Sequence, residues 1–357
     1  MGEGSWVGVD LHARSAVVSV LDGRSGELRV QRRVPAASGT LVAWLCGLPQ
    51  PVRVAYEAGP TGFELARACL GAGIDCLVAA PGKIPRAAAE RVKTDRRDAE
   101  RLARLLRLGE LTPVRVPDEL EEATRDLVRA REDARADLMR ARHRLSKLLL
   151  RHGLLWQASA WTREHERWLR GLSFGGPLAV CFDEGYGAVL QAKARRDALD
   201  RAISEAAMRP PFAEAVARLC CLRGVSTLTA LALTVELGDW QRFDPARLGA
   251  FLGLVPSESS SGDKRRQGGI TKTGNSHARR LLVEAAWHQR RPLRPSLALT
   301  GRRAGQPAAV RAQAEQAARR LHQRWWDLER RGKRRTIVAV AVARELAAHC
   351  WRLATME

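Results

Sequence analysis

No stretch of this sequence is apolar for long enough to cross a bilayer, which takes about twenty consecutive apolar residues as a helix. The opening MGEGSWVGVD lacks the pattern of a secretory signal, so a soluble, cytoplasmic protein is expected. Cysteine is sparse and poorly placed for a joint role: seven residues, an odd number, with no CxxC spacing and one adjacent pair, Cys220–Cys221. That fits neither a disulfide framework nor a zinc site and leaves reduced, mostly core thiols. Paired glycine-rich phosphate loops are also missing, which argues against a sugar kinase or an actin-like ATPase. Acid is in short supply: 39 Asp and Glu against 60 Lys and Arg give 357 residues a net charge of +21.

The charge is unevenly placed. Residues 1–117 carry a net +5 and residues 118–219 a net +2, whereas residues 220–357 carry +14. An arginine-rich composition can reflect a GC-rich genome, but codon bias would not gather the excess into one third of the chain. Such a field attracts polyanions, nucleic acid first among them.

A chain of this length forms two or three domains. SWVGVDLHARSAVVSVLDGRSGELRVQRRVP holds alternating β-branched runs around a DGRSG turn. GTLVAWLCGL predicts a helix, PVRVAYEAG a short buried strand, TGFELARACLGAG a helix capped by Thr61, and IDCLVAA another strand. A long helix follows from IPRAAAERVK to LLRLGEL, broken near Lys93–Thr94. The succession predicts an α/β domain over residues 1–115. In residues 117–153 apolar positions recur at Leu120, Ala123, Leu127, Ala130, Ala134, Leu138, Ala141, Leu145 and Leu148, one seam of a coiled coil. Residues 116–219 then form a coiled-coil and helical connector, serving as a self-associating arm or packing on its own domain. Residues 220–357 form a mostly helical domain. Its LRGVSTLTALALTVELGDW suggests a helix-hairpin-helix whose second helix offers N–H groups to phosphate, with Ser226 where a second glycine is usual.

Asp10 closes the first predicted strand and Glu57 the strand VRVAYE; Asp95 and Asp98, three apart, project from one helix face. Four carboxylates gathered without a cation repel one another, and Mg2+ or Mn2+ turns that repulsion into binding. A strand-end Asp, a second-strand Glu and two helix acids are the set by which an RNase H-like fold holds two divalent metals. Such ions can activate a nucleophile and stabilise the leaving oxygen of a phosphodiester. Singly, each acid has a plainer reading: Asp10 as a turn residue, Glu57 as a strand-end cap, Asp95 and Asp98 as surface partners of Arg96, Arg97 and Arg101.

SSSGDKRRQGGITKTGNSHARR, residues 259–280, lies between the apolar LGAFLGLVP and RRLLVEAAW. A disordered basic linker is one reading. The other is a loop presenting a serine among Lys264, Arg265, Arg266, Lys272 and Arg279, where positive charge steadies a phosphoryl group under attack.

VGVDLHARSAVVSVLDG, YEAGPTGFELARACLGAGIDCLVAAPGKIP and VKTDRRDAERLARLLRLGEL closely resemble the N-terminal domain of the DEDD transposases of bacterial insertion sequences, the IS110 group. LRGVSTLTALALTVELGDWQRF, LGLVPSESSSGDKRRQGGITKTGNSHARRLLVEAAW and TIVAVAVARELAAHCWRL resemble that family's C-terminal domain. The resemblance covers most of the chain apart from about 153–219. It implies an α/β RNase H-like (RuvC-like) domain, a long coiled-coil helical arm and a mostly helical C-terminal transposase domain. It places the catalytic, metal-binding acids on Asp10, Glu57, Asp95 and Asp98 and the nucleophile on Ser261, with Ser260 as runner-up because three serines blur the register. It also implies a bacterial cytoplasmic enzyme that acts on DNA with Mg2+ or Mn2+. A site shared between the subunits of a dimer or tetramer, and guidance by a structured RNA from the element's own end, are implied as well. The rival readings are a metal-dependent junction-resolving nuclease that uses water and a non-enzymatic nucleic-acid scaffold.

Overall fold

The computed structural model describes residues 4–85, 94–260 and 266–356, and the chain divides after Asp118 into two compact units. The first unit runs β1 (Ser5–Leu11), β2 (Ser15–Asp22), β3 (Leu28–Pro35), α1 (Ser38–Cys46), β4 (Val52–Glu57), α2 (Glu64–Gly71), β5 (Asp75–Ala79) and α3 (Asp95–Leu108). β1, β2 and β3 form an antiparallel meander, and β4 and β5 continue the sheet in parallel, in the order β3-β2-β1-β4-β5. Strand alternation divides the core. Val7, Val9, Val54 and Tyr56 pack with Leu41, Leu45 and Leu65 of α1 and α2; Trp6 and Ala55 face Leu102, Ala103, Leu105 and Leu106 of α3. Helices therefore cover both faces of a mixed α/β sheet.

Gly8 sets how α3 lies on it. A β-carbon at Gly8 would sit 1.9 Å from the Ala99 carbonyl oxygen and 2.5 Å from the Ala103 nitrogen. The α3 backbone thus rests directly on β1, an approach that only glycine allows. Thr94 caps α3, its hydroxyl accepting from the Arg97 N–H at 3.4 Å, and Gly109 ends it in left-handed geometry. The long helix expected here is described only from this cap onward; residues 86–93, Lys93 among them, lie outside the described residues. Thr61 does not cap α2: that helix begins at Glu64 behind Phe63, with no side-chain cap, because residues 60–63 form a turn closed by Tyr56 Oη donating to the Gly62 carbonyl at 3.1 Å.

The second unit is mostly helical: α4 (Glu119–Arg151), α5 (Arg163–Arg170), α6 (Gly176–Ala206), α7 (Ala213–Leu219), α8 (Thr227–Leu237), α9 (Pro245–Phe251), a ribbon of β6 (Pro256–Glu258) and β7 (Gln267–Ile270), α10 (Ser276–Ala286), α11 (Leu297–Arg303), α12 (Ala308–Arg330) and α13 (Arg335–Ala354). Its main core gathers α7, α8, α10, α12 and α13 around fully buried residues such as Trp325. The seam of α4 is covered within the chain: Leu138, Ala141, Leu145 and Leu149 pack with Leu169, Phe182 and Val189 of α5 and α6. Its first turns bury Glu121, Thr124 and Val128 and leave Leu120 exposed, a different face from the expected one. The cause is docking on α8, where Arg125 Nε donates to the Val235 carbonyl at 2.8 Å. Of the cysteines, Cys69, Cys220, Cys221 and Cys350 are buried, all seven are free thiols, and no described helix is long and apolar enough to span a membrane.

A buried carboxylate ties α4, α8 and α10 together. Glu236, its side chain 1% exposed, accepts hydrogen bonds from Arg129 Nε and Nη2 at 3.0 Å each, from Asn275 Nδ2 at 2.7 Å and from His277 Nδ1 at 3.0 Å. Burial pushes its pKa up, but the hydrogen bonds from His277, Arg129 and Asn275 outweigh that and hold it at about 2. Because the folded value lies below the ordinary one, this contribution is complete above about pH 4.5 and is lost as pH falls toward 2.

Two outcomes are expected. Gly8→Ala forces α3 off β1 and lowers unfolding free energy by about 1–3 kcal/mol, read by denaturant titration, with Gly8→Val worse. Glu236→Ala costs about 3 kcal/mol near neutral pH, and its deficit against the native chain shrinks between pH 4.5 and pH 2; a pH-independent deficit would contradict the buried-carboxylate account.

Candidate active site

On β1, Trp6, Gly8 and Asp10 alternate onto the face that carries α3. On α3, Asp95 stands one turn before Ala99, the residue resting on Gly8. The glycine contact therefore brings Asp10 and Asp95 together. His12, just past the strand, joins them: its Nε2 lies 3.2 Å from Asp10 Oδ2 and 3.8 Å from Asp95 Oδ1. Ligand atoms of Asp10, His12 and Asp95 all fall within 4.8 Å of one another. Two carboxylates and an imidazole at that spacing form a donor set for a divalent cation.

Asp98, one turn along α3, pairs with Arg101 at 3.1 Å. Asp95 pairs with Arg33 of β3 at 3.0 Å, and both acids occupy the first turn of α3, where the helix dipole favours negative charge. Partial burial pushes the Asp10 carboxyl above the ordinary carboxylate range; His12 beside it pulls the other way, and Asp95 and Asp98 add to the rise. Glu57 is one residue beyond the Val9–Tyr56 register pair, as Asp10 is, so the two stand near the ends of neighbouring parallel strands. Alternation puts Glu57 on the α3 face, like Ala55. Its carboxylate is outside the close trio.

The basic segment 259–280 begins just after β6 and includes β7, which pairs with β6, and the start of α10. Ser261, Lys264 and Arg265 lie outside the described residues. Ser260 Oγ donates to Glu258 Oε1 at 2.9 Å, and the Ser259 N–H donates to the Arg266 carbonyl at 2.9 Å. Arg266 and Lys272 are exposed. Arg279 turns inward, donating to the carbonyls of Leu252 and Thr273 at 2.8 Å each, so it braces the base of the hairpin. Gly274 closes that base with φ of 68°, where a β-carbon would lie 1.9 Å from the Phe251 carbonyl oxygen. Asn275 then caps α10, accepting from the Ala278 N–H at 2.9 Å while it donates to Glu236.

Sequence reasoning gave His12 no role, although its spacing of two from Asp10 was a usable sign, since residues two apart on an extended strand share a face. It also missed Glu236, whose apolar surroundings in TLTALALTVELGDW hide a buried acid.

Known proteins match both units. A family profile described as a DEDD transposase of the IS110 kind covers residues 7–153, and one described as the transposase IS116/IS110/IS902 family covers residues 216–298. The chain is 39% identical over 356 residues to the putative transposase y4qE of Sinorhizobium fredii, spanning 98% of this chain and 88% of that protein. It is 36% identical over 341 residues to the transposase for insertion sequence element IS1533 of Leptospira borgpetersenii, spanning 92% and 98%. Across 74 residues it is 42% identical to the transposase for insertion sequence element IS1328 of Yersinia enterocolitica. Similarity on this scale, carried through both units, makes the chain a DNA transposase of the IS116/IS110/IS902 family.

Proposed function

We propose that this transposase cuts and rejoins DNA with a metal-holding acid cluster on its first unit and a serine nucleophile on its second. The convergence of Asp10, His12 and Asp95 at the end of β1 carries the reading, because like charges are gathered there on rigid elements. Asp10, Asp95 and Asp98, with Glu57 at the end of the next strand, would hold Mg2+ or Mn2+. The sheet and the position of its acids support an RNase H-like reading of residues 1–115. When bound, the cation supplies Lewis-acid stabilisation of charge on phosphodiester oxygens. His12 adds a nitrogen donor, which suits Mn2+ better than the harder Mg2+.

Ser261 is the nucleophile in this reading. Its Oγ–P bond forms as the bond from phosphorus to the leaving deoxyribose oxygen breaks. The hydroxyl proton passes to a base, the leaving oxygen gains one, and the phosphoserine link conserves bond energy for rejoining. Arg266 and Lys272, with Lys264 and Arg265, neutralise the phosphates, while Arg279 acts by bracing the hairpin. The wider proposal includes a guide RNA and a bacterial cytoplasmic setting. It also includes a dimer or tetramer assembled through residues 116–219, where Leu120, Met139, Leu150 and Leu190 leave apolar surface exposed on α4 and α6. Residues 220–357 complete the transposase domain.

The decisive experiment recovers DNA-linked protein under denaturing conditions from cells that carry the gene with its flanking DNA. Wild type and Ser260→Ala should yield the adduct, whereas Ser261→Ala and Asp10→Ala should not. Cleavage that proceeds without an adduct and ignores both serines would leave a water-using nuclease instead. Calorimetric titration tests the acid cluster: His12→Ala should weaken Mn2+ binding about tenfold and Mg2+ binding far less.

A further inference from the structure

We infer that the pocket at the head of α8 is a second contact for the sugar-phosphate backbone of duplex DNA, sharing no lining residue with the serine hairpin. The inference rests on the chain acting on DNA. The pocket encloses about 690 Å³ between the turn that precedes α8 and the segment that follows α10. Arg223, Arg291, Arg294 and Arg302 line it, with His288, over a floor that includes Val225, Ala285 and Leu299. The one carboxylate in its wall, Glu284, pairs with Arg280, which is not in the pocket.

The charges are unbalanced. Among the described residues no carboxylate pairs with Arg223, Arg291, Arg294 or Arg302, although arginines elsewhere in this unit commonly have one. Arg223 and Arg302 are instead braced by backbone: Arg223 Nη2 donates to the Pro292 carbonyl at 2.7 Å, and Arg302 Nη1 to the Val225 carbonyl at 2.6 Å. Arg223 Nη1 is buried with no hydrogen-bond partner, a donor that lacks an acceptor. Burial and the neighbouring Arg291 both work against the charge on Arg223, and burial with Arg291, Arg223 and Arg302 does the same to His288. Guanidiniums lining one pocket repel one another, as Arg291 does Arg223, and a phosphate among them would relieve that repulsion.

The helix start is compatible with this role and secondary to it. Ser226 caps α8 through Thr229, so the residue standing for the usual hairpin glycine still leaves a regular, N-capped helix whose dipole favours an anion. Gly224 is fixed in left-handed geometry, φ 83°, where a β-carbon would lie 2.3 Å from the Ala285 carbonyl oxygen; that packs the turn against α10 and holds Arg223 in the pocket wall. Arg291 and Arg294 are exposed, so they reach solvent while Arg223 and Arg302 are anchored behind them. The volume exceeds the needs of a single small anion, and the open, cationic rim suits a continuous strand.

The test uses the full-length protein and fluorescent DNA duplexes of two unrelated sequences, titrated between about 50 and 200 mM salt. R291Q/R294Q should weaken binding to both sequences about tenfold and lower the slope of log affinity against log salt by about 1–2. R311Q/R319Q removes the same charge from exposed positions on α12 and should change the slope much less. Among the described residues neither pair of arginines has an ion pair, and circular dichroism checks that the variants are folded. Equal slopes for wild type and R291Q/R294Q, or an equal fall in R311Q/R319Q, would overturn the pocket assignment. A loss confined to an RNA duplex of the same length would overturn the choice of DNA. Failure of the wild-type chain to bind any duplex would instead count against the DNA reading beneath it.

Discussion

The acid site depends on a missing side chain. At Gly8 the sheet offers bare backbone, and the backbone of α3 occupies the space where a β-carbon would stand. That contact fixes the helix both in height and along its axis. Asp10, two residues along β1, and Asp95, one turn back along α3, are consequences of it. Because two regular elements position the carboxylates, the cluster is held more stiffly than loops would hold it. Like charges brought so close oppose the fold, and they add to a rise in the Asp10 pKa whose main cause is burial. Arg33, Arg101, His12 and the start of α3 offset part of that repulsion.

The serine hairpin follows a different plan. Its two short strands pair as a ribbon, and its base is fixed on several sides. Arg279 ties the carbonyls of Leu252 and Thr273, Gly274 lies against Phe251, and Asn275 is held by Glu236. Glu236 in turn joins α8 to α4 through Arg129. Under the proposed mechanism the nucleophile must meet a large substrate, and a fixed base gives the segment that carries it a defined starting point.

Much of this was legible where the signal is local. Alternating β-branched residues gave the strands, and the three-residue spacing of Asp95 and Asp98 gave a shared helix face. The glycine of WVGVD was visible as well, and glycine inside a strand often marks a close approach. Which backbone approaches is a tertiary fact, so the link from Gly8 to Ala99 could not be read. The same limit explains the first turns of α4. Heptad spacing named a seam from Leu120, but docking on α8 turned Glu121, Thr124 and Val128 inward. Thr61 failed as a cap because a turn closed by Tyr56 intervenes before α2. Arg279 was read as a phosphate ligand from composition, which cannot tell a guanidinium facing solvent from one facing carbonyls.

That distinction alters how the charge of the second unit should be understood. Its net excess suggests a uniformly adhesive surface, yet several of its arginines are structural. Arg279, Arg303 and Arg242 donate to carbonyls at Leu252, Cys221 and Leu237, satisfying groups at or near helix ends. Others are neutralised by Glu236, Glu329 or Glu345. Subtracting both groups makes the remaining cations more local than the net charge implies. They include Arg266 and Lys272 flanking the hairpin and Arg291 and Arg294 at the pocket rim. A polyanion held at a few places keeps its orientation, whereas one attracted evenly would slide. Under the proposed mechanism, which brings a single phosphodiester to Ser261, that separation of bracing arginines from exposed ones makes a basic protein selective in position.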